Sequence, residues 1–432
     1  MEEKNSEKKE RKMRDSGIPW IGEVPEGWGV NKIKYHLTRN EIKNKPDKQV
    51  LSVYRDYGVI PKDSRDDNHN VTSEDTSKYK YVQKGDLVIN KMKAWQGSLG
   101  VSEYEGIVSP AYYIYKFHDN CFEGKFFHYL IRGCYKDEFR RISGGIREGQ
   151  WDLSAEKFEN TMIIIPPVQE QHRIADFLDS KCAEIDILIE NLHARIESAK
   201  EYKKAVITEA VTKGLDKNAK MKDSGVEWIG EIPERWKVGK IKQFCILKTG
   251  KTPSTQNKDM FDGPLNWYTP ADFSDTYTLS NASRTLSQKA EKSNDIVIIP
   301  PNSVMLIGIG GTAGKVGLTC ERCSCNQQVT AIITNKMFYK YLMYYMVGNS
   351  ESLKGIASYT TLPILNNQIV GNYPVLIPEQ EEQHHIADYL DYKCSEIDAL
   401  LQNYENQIAT LEEYKKSLIY EYVTGKKEVP AA

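Results

Sequence analysis

Long apolar runs, a disulfide framework and a surplus of basic charge are all missing from this 432-residue sequence. The longest apolar stretch, near 296–309, is broken by Pro300, Pro301 and Asn302, which predicts that no helix crosses a membrane. The first fourteen residues, MEEKNSEKKERKMR, are dense in charge and contain no apolar core, so they do not resemble a signal peptide. We therefore expect a cytoplasmic protein with two or three domains.

The net charge of −2 argues against a free-standing DNA-binding protein, because neutralising phosphates usually requires extra lysine and arginine. It leaves room for local basic patches, or for a DNA clamp shared with another subunit. The eight cysteines show no disulfide pattern. Cys320, Cys323 and Cys325 crowd into CERCSC, but a structural zinc site needs four ligands and no second paired set appears. We expect reduced thiols and no metal.

Catalytic motifs are also missing. The segments around Lys251 and Lys315 lack the first glycine of a Walker A loop, with Cys245 and Ile309 in its place. The IIIPPVQ and VIIPPNS segments lack the Asn and the aromatic residue of an amino-methyltransferase loop. The histidines beside the long-helix starts occur in both repeats, which favours packing or docking. We predict that the chain is not an enzyme and holds no cofactor.

What the sequence does have is an internal duplication. DSGIPWIGEVPEGW (15–28) returns as DSGVEWIGEIPERW (223–236), with ten of fourteen positions identical and an offset of 208. EQHRIADFLDSKCAEID (170–186) returns as EQHHIADYLDYKCSEID (382–398) at an offset of 212. The intervening stretches, 29–169 and 237–381, show no comparable likeness. The pattern indicates a duplicated scaffold that carries two different inserts.

The second repeated block continues into a heptad pattern of about five repeats, typical of a coiled coil. Lys203 and Lys415 interrupt its apolar row at equivalent places, and Gly214 and Gly425 are predicted to cap the C-termini of the helices. The residues predicted to pack the helix pair are Leu178, Ile185, Leu192, Ile196, Leu390, Ile397, Tyr404 and Leu411.

The simplest partner for each seam is the other copy. Two helices of roughly 35 residues would each be about 50 Å long. If the halves are related by a two-fold axis, the helices run antiparallel and the inserts lie at opposite ends. The alternative is two parallel helices that each pack on their own domain.

The W-I-G-E-[VI]-P-E-x-W blocks and the E-Q-H-x-I-A-D-[FY]-L-D…E-I-D…E-Y-K-K pattern resemble the specificity subunits of type I restriction–modification systems, over nearly the whole chain. The resemblance implies an α+β protein with two target recognition domains, separated by two long antiparallel coiled-coil helices in a pseudo-two-fold repeat. It implies that the inserts read the two halves of a split double-stranded DNA target. It also implies docking of two methyltransferase subunits and, through the complex, of restriction subunits, which would hold the methylation and ATP-dependent nuclease activities.

The expected organisation follows the repeats. In chain order it is an arm and first lead-in (1–28), recognition domain 1 (29–165), the central helix (166–214), a linker with the second lead-in (215–236), recognition domain 2 (237–374), the C-terminal helix (375–425) and a tail (426–432). Because the inserts differ, the target should be bipartite and asymmetric.

Candidate DNA contacts come from polar and basic side chains on glycine-containing loops, since lysines suit phosphates and glutamine can pair with adenine. For each of them an ordinary solvated loop or a core position remains open. In the first insert the candidates are Arg55, Tyr57, Lys91, Lys93, Trp95, Gln96, Arg147 and Gln150. In the second they are Lys251, Thr252, Trp267, Lys315, Gln327, Gln328, Thr360 and Thr361.

Two alternatives stay open at this point. One is a coiled-coil adaptor whose inserts bind protein or RNA. The other is the specificity subunit of a fused restriction–methylation system. Duplex-DNA binding with and without a methyltransferase subunit would separate the first from the leading hypothesis.

Overall fold

The computed structural model describes residues 11–55, 57–64, 72–73, 75–118, 121–145, 151–254, 256–274, 276–359 and 362–430. The chain forms two compact units. The first runs to Leu192 and resumes at Asn406, and the second runs from His193 to Glu405. Each unit therefore contains one insert and a stretch of both long helices.

The first unit combines short strands with helices. Its helices are α1 Gly124–Cys134, α2 Lys136–Ile142, α3 Ala155–Glu159 and the first part of α4 Val168–Lys213. Its strands are β1 Met13–Asp15, β2 Glu23–Pro25, β3 Gly29–Lys32, β4 Leu37–Arg39, β5 Leu51–Tyr54, β6 Gly58–Pro61, β7 Lys80–Val82, β8 Leu87–Asn90, β9 Leu99–Val101, β10 Gly106–Val108, β11 Tyr112–Phe117 and β12 Met162–Ile165.

The second unit repeats this mixture and adds strands. Its own strands are β13 Met221–Asp223, β14 Glu231–Pro233, β15 Lys237–Lys240, β16 Cys245–Thr249, β17 Phe261–Tyr268, β18 Thr278–Leu279, β19 Thr285–Leu286, β20 Val304–Ile307, β21 Val316–Thr319, β22 Ser324–Cys325, β23 Val329–Thr334, β24 Ser358–Tyr359, β25 Pro363–Ile364 and β26 Pro374–Ile377. Its helices are α5 Ile241–Phe244, α6 Gln288–Lys292, α7 Tyr339–Gly348, α8 Ser350–Gly355, α9 Asn367–Asn372 and the first part of α10 Gln380–Val423.

Both inserts are built on the same sheet, although their sequences do not show it. The strand order is β4-β11-β8-β9 in the first unit and β16-β23-β20-β21-β18 in the second. Tyr115 pairs with Leu87 in one sheet and Ile332 with Val304 in the other, so both partners are displaced by 217 positions. The two inserts therefore share a fold, although their sequences show no comparable likeness. Apolar strands tolerate wide exchange of side chains, which hides the kinship in the sequence.

The two long helices are antiparallel in each unit, as the two-fold hypothesis predicted. In the first unit, Phe177 of α4 lies 4.5 Å (ring centroids) from Tyr422 of α10, and Asp186 lies 2.6 Å from Lys415. The residue numbers on α10 decrease as those on α4 increase, so the two helices run in opposite directions. In the second unit Lys203 of α4 lies 2.7 Å from Asp398 of α10, again in the antiparallel order.

The helices are longer than the heptads alone indicated, with 46 residues in α4 and 44 in α10. The heptad pattern begins only at Leu178 because the first turns of α4 pack on the recognition domain. Ile174 and Ala175 belong to the same buried cluster as Phe126 and Phe158 of the insert. Each helix ends as predicted at a left-handed glycine, Gly214 (φ +76°) or Gly425 (φ +72°).

The repeated lead-in caps the end of a long helix in both units. In the second unit the Trp236 indole N–H donates to Glu382 Oε2 at 3.0 Å, and a Cβ on Gly214 would lie 3.2 Å from the Trp236 ring. In the first unit Trp28 donates to Glu170 Oε2 at 3.0 Å, and a Cβ on Gly425 would lie 2.9 Å from the Trp28 ring. In the second unit, the chain runs directly from Gly214 to the lead-in with Trp236. In the first unit, Gly425 and the lead-in with Trp28 come from opposite ends of the sequence.

Candidate nucleic-acid interface

The loop between β8 and β9 carries four predicted DNA-contacting residues, namely Lys91, Lys93, Trp95 and Gln96. A 3-10 turn over Ala94–Gln96 and the left-handed Gly97 (φ +89°) shape this loop. Lys93 is exposed, and the other three predicted residues are half-buried. The Trp95 indole N–H donates to the Met92 carbonyl at 3.1 Å, which holds this ring against its own loop. The exposed cation at Lys93 is thus the member best placed to contact a phosphate.

A basic helix adjoins this loop, and none of its residues was among the predicted DNA contacts. Helix α2 presents exposed Lys136, Arg140 and Arg141. The Arg140 guanidinium lies 6.0 Å from the Trp95 ring centroid, while Arg141 is paired with Glu138 at 2.6 Å. Lys136 and Arg140 are four positions apart and therefore share one helix face. The four-residue spacing of Lys136 and Arg140 within KDEFRR is the sequence signal that could have predicted this basic helix face.

The Trp95 ring also contacts Trp151, with centroids 5.7 Å apart. Arg55 and Tyr57 are exposed in the turn that joins β5 to β6, and the Tyr57 side chain is 59% exposed. Predicted contacts that lie outside the described residues are Arg147, Gln150, Thr360 and Thr361.

In the second unit, three predicted residues line one open depression of about 540 Å³. They are Lys251, Thr252 and Gln327, and Asn294 and Asp295 form another part of its wall. The Thr252 hydroxyl donates to Gln327 Oε1, and Lys251 Nζ donates to the Asn294 carbonyl at 3.3 Å. The hydroxyl fixes the orientation of the Gln327 amide, so that its NH₂ group remains a donor for a ligand. This is the strongest cluster of polar side chains among the predicted positions.

Gly250 precedes this cluster and is required by close packing. A Cβ at this position would lie 2.2 Å from the Cys325 carbonyl oxygen. No side chain fits there, so the glycine serves close packing within the domain rather than approach to DNA.

Three further predicted residues differ in accessibility. Lys315 is exposed in the β20–β21 loop. The Gln328 amide is used internally, because its Oε1 accepts a hydrogen bond from Asn326 at 3.0 Å. Trp267 is 3% exposed, and its indole N–H donates to the Lys251 carbonyl at 3.2 Å. The Trp267 ring therefore packs in the core, where it supports the Lys251 loop instead of stacking on a base.

The predicted loops of the two inserts occupy equivalent places. Gly97 lies one residue before the end of the β8–β9 loop, and Gly314 (φ +90°), 217 positions later, lies one residue before the end of the β20–β21 loop. The strands on both sides of each loop have the same antiparallel pairing. Different side chains on one backbone frame are suited to recognising different surfaces.

The predicted helix-pair residues lie along the two long helices. Leu178, Ile185, Leu192, Ile196, Leu390 and Ile397 are buried, and Tyr404 and Leu411 are half-buried. The lysines that interrupt the apolar row are both paired across to the other helix. Lys203 lies 2.7 and 2.9 Å from the two carboxylate oxygens of Asp398, and Lys415 lies 2.6 and 2.7 Å from those of Asp186.

Burial raises the pKa of the Cys323 thiol to about 12, and it also raises the pKa of Cys325. The described part of the chain contains no group of three or more His, Cys, Asp or Glu side chains placed to hold a metal ion. No helix among the described residues is both long and apolar enough to span a membrane.

The model of the type I restriction modification DNA specificity domain matches this chain twice, at residues 25–198 and 233–410. The chain belongs to that family. The two matches together cover more than half of the chain, and they coincide with the duplication found in the sequence. DNA target recognition in a type I restriction–modification system is therefore its function.

Curated relatives agree with this assignment. The putative MjaX specificity subunit of Methanocaldococcus jannaschii is 24% identical over 432 residues, which span 95% of this chain and 96% of the relative. The EcoBI specificity subunit of Escherichia coli is 24% identical over 298 residues, 63% of this chain and 60% of the relative.

Among solved structures, a chain from work on complex assembly and conformational transition of the type I R-M system superposes with a TM-score of 0.73 at 14% identity, covering 94% of this chain and 99% of that one. The HsdS subunit of Thermoanaerobacter tengcongensis has a TM-score of 0.54 at 14% identity, covering 94% and 98%. At these identities, the two structures support the fold alone.

Proposed function

We propose that the two inserts read the two halves of an asymmetric, bipartite double-stranded DNA target. The observation that carries the proposal is the equivalent placement of the β8–β9 and β20–β21 loops on one duplicated frame, with different residues on each. Lys93 supplies a cation on the β8–β9 loop of the first insert. In the second insert Gln327 supplies an oriented amide from the segment between β22 and β23, which is hydrogen-bonded to the start of the β20–β21 loop. A duplicated frame with unequal reading surfaces favours two unlike half-sites.

The roles of Lys93 and Gln327 can be separated by their effects on affinity and on sequence preference. Lys93→Gln should weaken binding to specific and nonspecific duplexes alike, and should reduce the salt dependence of log K by about one phosphate contact. Lys84→Gln is a matched control, because Lys84 comes before strand β8 and therefore lies at the opposite end of that strand from Lys93. Equal losses in the two variants would contradict a phosphate contact at Lys93.

Gln327→Ala should relax base preference in the second half-site only, with about 1–3 kcal/mol lost at one position. Methylome sequencing of cells that express the complex gives the target, and single-base substitutions in duplex-binding assays give the preference. A change in the first half-site would contradict the assignment of this depression to the second.

We further propose that the chain docks two methyltransferase subunits on equivalent surfaces of the long helices, and that methylation and DNA cleavage are carried out by partner subunits. An exposed leucine and an exposed tyrosine, which occur at equivalent positions in both units, support this proposal. Leu188 and Tyr414 are 51% and 54% exposed in the first unit, and Leu400 and Tyr202 are 41% and 58% exposed in the second. Each Leu is matched by another Leu 212 positions away, and each Tyr likewise. Solvent-exposed apolar side chains kept in both copies favour two like partners.

The stoichiometry of the purified complex tests this docking. Leu188→Asp and Leu400→Asp should each remove one methyltransferase copy, and the double variant should remove both. Ile246→Asp is the control. Ile246 is 64% exposed but lies on the edge strand β16, away from the repeated Leu and Tyr residues of the long helices. Retention of two copies by the double variant would contradict these docking surfaces.

A further inference from the structure

A polar contact joins the first insert to α4, and the proposed function makes no use of it. Lys125 Nζ on α1 lies 2.7 Å from Asp179 Oδ2 on α4. The Tyr129 hydroxyl, one turn further along α1, donates to the other carboxylate oxygen of Asp179 at 2.8 Å. Asp179 thus accepts two hydrogen bonds from side chains four residues apart on α1.

The second unit contains the same contact. Lys340 Nζ on α7 lies 2.5 Å from Asp391 Oδ2 on α10, and the Tyr344 hydroxyl donates to Asp391 Oδ1 at 2.8 Å. Lys340 and Tyr344 follow their first-unit counterparts by 215 positions, and Asp391 follows Asp179 by 212. The hydrogen bond from Lys340 to Asp391 raises the pKa of this lysine, which therefore stays protonated at neutral pH.

The beginning of each of these helices is also held by a long helix. Gln171 Oε1 accepts the backbone N–H of Glu123, which is the N-cap of α1, at 2.8 Å. Gln383 Oε1 accepts the backbone N–H of Phe338, the N-cap of α7, at 2.8 Å.

The other end of each helix approaches a long helix closely, at a glycine. A Cβ on Gly133 would lie 2.8 Å from Ile419 Cγ2 of α10, and a Cβ on Gly348 would lie 3.3 Å from Ile207 Cγ2 of α4. Ile207 and Ile419 are also 212 positions apart. Helices α1 and α7 are therefore fixed at the start, in the middle and at the end.

We propose that α1 and α7 are orientation anchors, in which the Lys–Tyr–Asp contacts are positioning residues that set the angle of each reading surface on the long helices. The inference rests on the proposed bipartite reading. Apolar packing is non-directional, whereas two charge-assisted hydrogen bonds to one carboxylate restrict rotation of the helix about its own axis. The anchors thereby control how strictly the spacer between the half-sites is measured.

The consequence is measurable because spacer length changes both distance and direction. One added base pair moves the second half-site by about 3.4 Å and turns it by about 35° around the DNA axis. A rigidly held domain cannot follow this movement, but a domain that rotates on its helix can follow part of it. Loss of an anchor should therefore reduce spacer discrimination more than it reduces affinity for the correct site.

The test uses the full chain in its methyltransferase complex and duplex DNA with the methylome-determined target, at the natural spacer and at one base pair more and less. Asp391→Asn and Tyr344→Phe should lower the ratio of affinities between the natural and altered spacers by about tenfold. Glu396→Gln is the matched control, because this exposed carboxylate on α10 accepts its hydrogen bonds from Tyr392 and Lys393 of its own helix.

A second arm guards against a purely structural effect. The charge exchange Lys340→Asp with Asp391→Lys should restore most of the discrimination that Asp391→Asn removes, while thermal unfolding shows whether each variant is folded. Tyr344→Phe removes only a hydroxyl, so the spacer measurement can be made with this variant if Asp391→Asn does not fold.

The outcomes separate this proposal from the one on which it rests. An unchanged spacer ratio in folded Asp391→Asn and Tyr344→Phe overturns the anchor but leaves bipartite reading intact. Equal loss of affinity at all spacers also overturns the anchor, since it indicates a structural role only. A wild-type complex without any spacer preference overturns the bipartite reading itself, and the anchor with it.

Discussion

A paired deletion in the long helices tests whether they measure the spacer. Removing residues 189–195 from α4 takes out one heptad, which shortens that helix by about 10 Å and keeps the apolar seam on the same side. In the two ion pairs between the helices, Asp186 with Lys415 and Lys203 with Asp398, the residue numbers of the partners have the same sum. Residues 406–412 are therefore the matching segment of α10.

The paired deletion leaves both Lys–Asp contacts possible, whereas deletion of 189–195 alone forces seven residues of α10 out of register. About 10 Å corresponds to about three base pairs of B-DNA rise, and three base pairs also turn the second half-site by about 100°. We expect affinity for the unaltered site to fall by at least about tenfold. We also expect the best-bound duplex to have a shorter spacer.

The assay is competition binding with a series of duplexes that differ only in spacer length, carried out with the methyltransferase complex. The single deletion provides the comparison, because it should reduce helicity and thermal stability as well as binding. Full-strength binding of the paired-deletion variant to the unaltered site would show that the helices do not measure the spacer.

Three further predictions concern the modules and their scaffold. Exchanging 29–165 for the insert of a relative should change one half-site in methylome data and leave the other intact. A permutant opened at 217–218, with the old ends joined by GLDKNAKMK, should fold and keep its target, because the lead-in contacts at Gly425 repeat those at Gly214; a soluble permutant with altered specificity would contradict this. Lys203→Met should lower the free energy of unfolding by about 1–2 kcal/mol in urea titrations.

The scaffold could be predicted from the sequence because its physical requirements are regular. A buried seam needs an apolar residue at fixed intervals, and the end of a helix often needs a glycine with a positive φ. These requirements survive in both copies as heptads and as Gly214 and Gly425. The lysines within the seam were recognisable as register positions, but their partners Asp186 and Asp398 required the structure.

The shared sheet of the inserts could not be predicted in the same way. LVIN in β8 and VMLI in β20 are both almost fully buried, yet they have little identity, because burial constrains hydrophobicity rather than the individual side chain. One signal of the kinship is nevertheless present in the sequence. Lys and Tyr are four positions apart in 125–129 and again in 340–344, at nearly the offset of the other repeats.

Candidate DNA contacts were the least predictable feature, because a polar residue on a loop has the same appearance in sequence whether it faces a ligand or its own backbone. Thr252 and Gln327 are 75 positions apart and meet only in the folded domain. Trp267 was predicted to contact DNA because it is an aromatic residue beside polar neighbours, but its side chain is buried in the core of the domain.

The duplicated contacts also explain how recognition can diverge while geometry is retained. If the β8–β9 and β20–β21 loops read the target as proposed, selection for a new target would change their side chains, and each loop projects from the equivalent end of its own sheet. The contacts that fix each insert to the long helices lie on α1 and α7, which are separate elements of the chain. Because the two sets do not overlap, a reading loop can change without altering the angle at which its domain is held. An insert transferred with its own α1 or α7 should bring that angle with it, and one transferred without this helix should lose spacer discrimination even where it still binds its half-site.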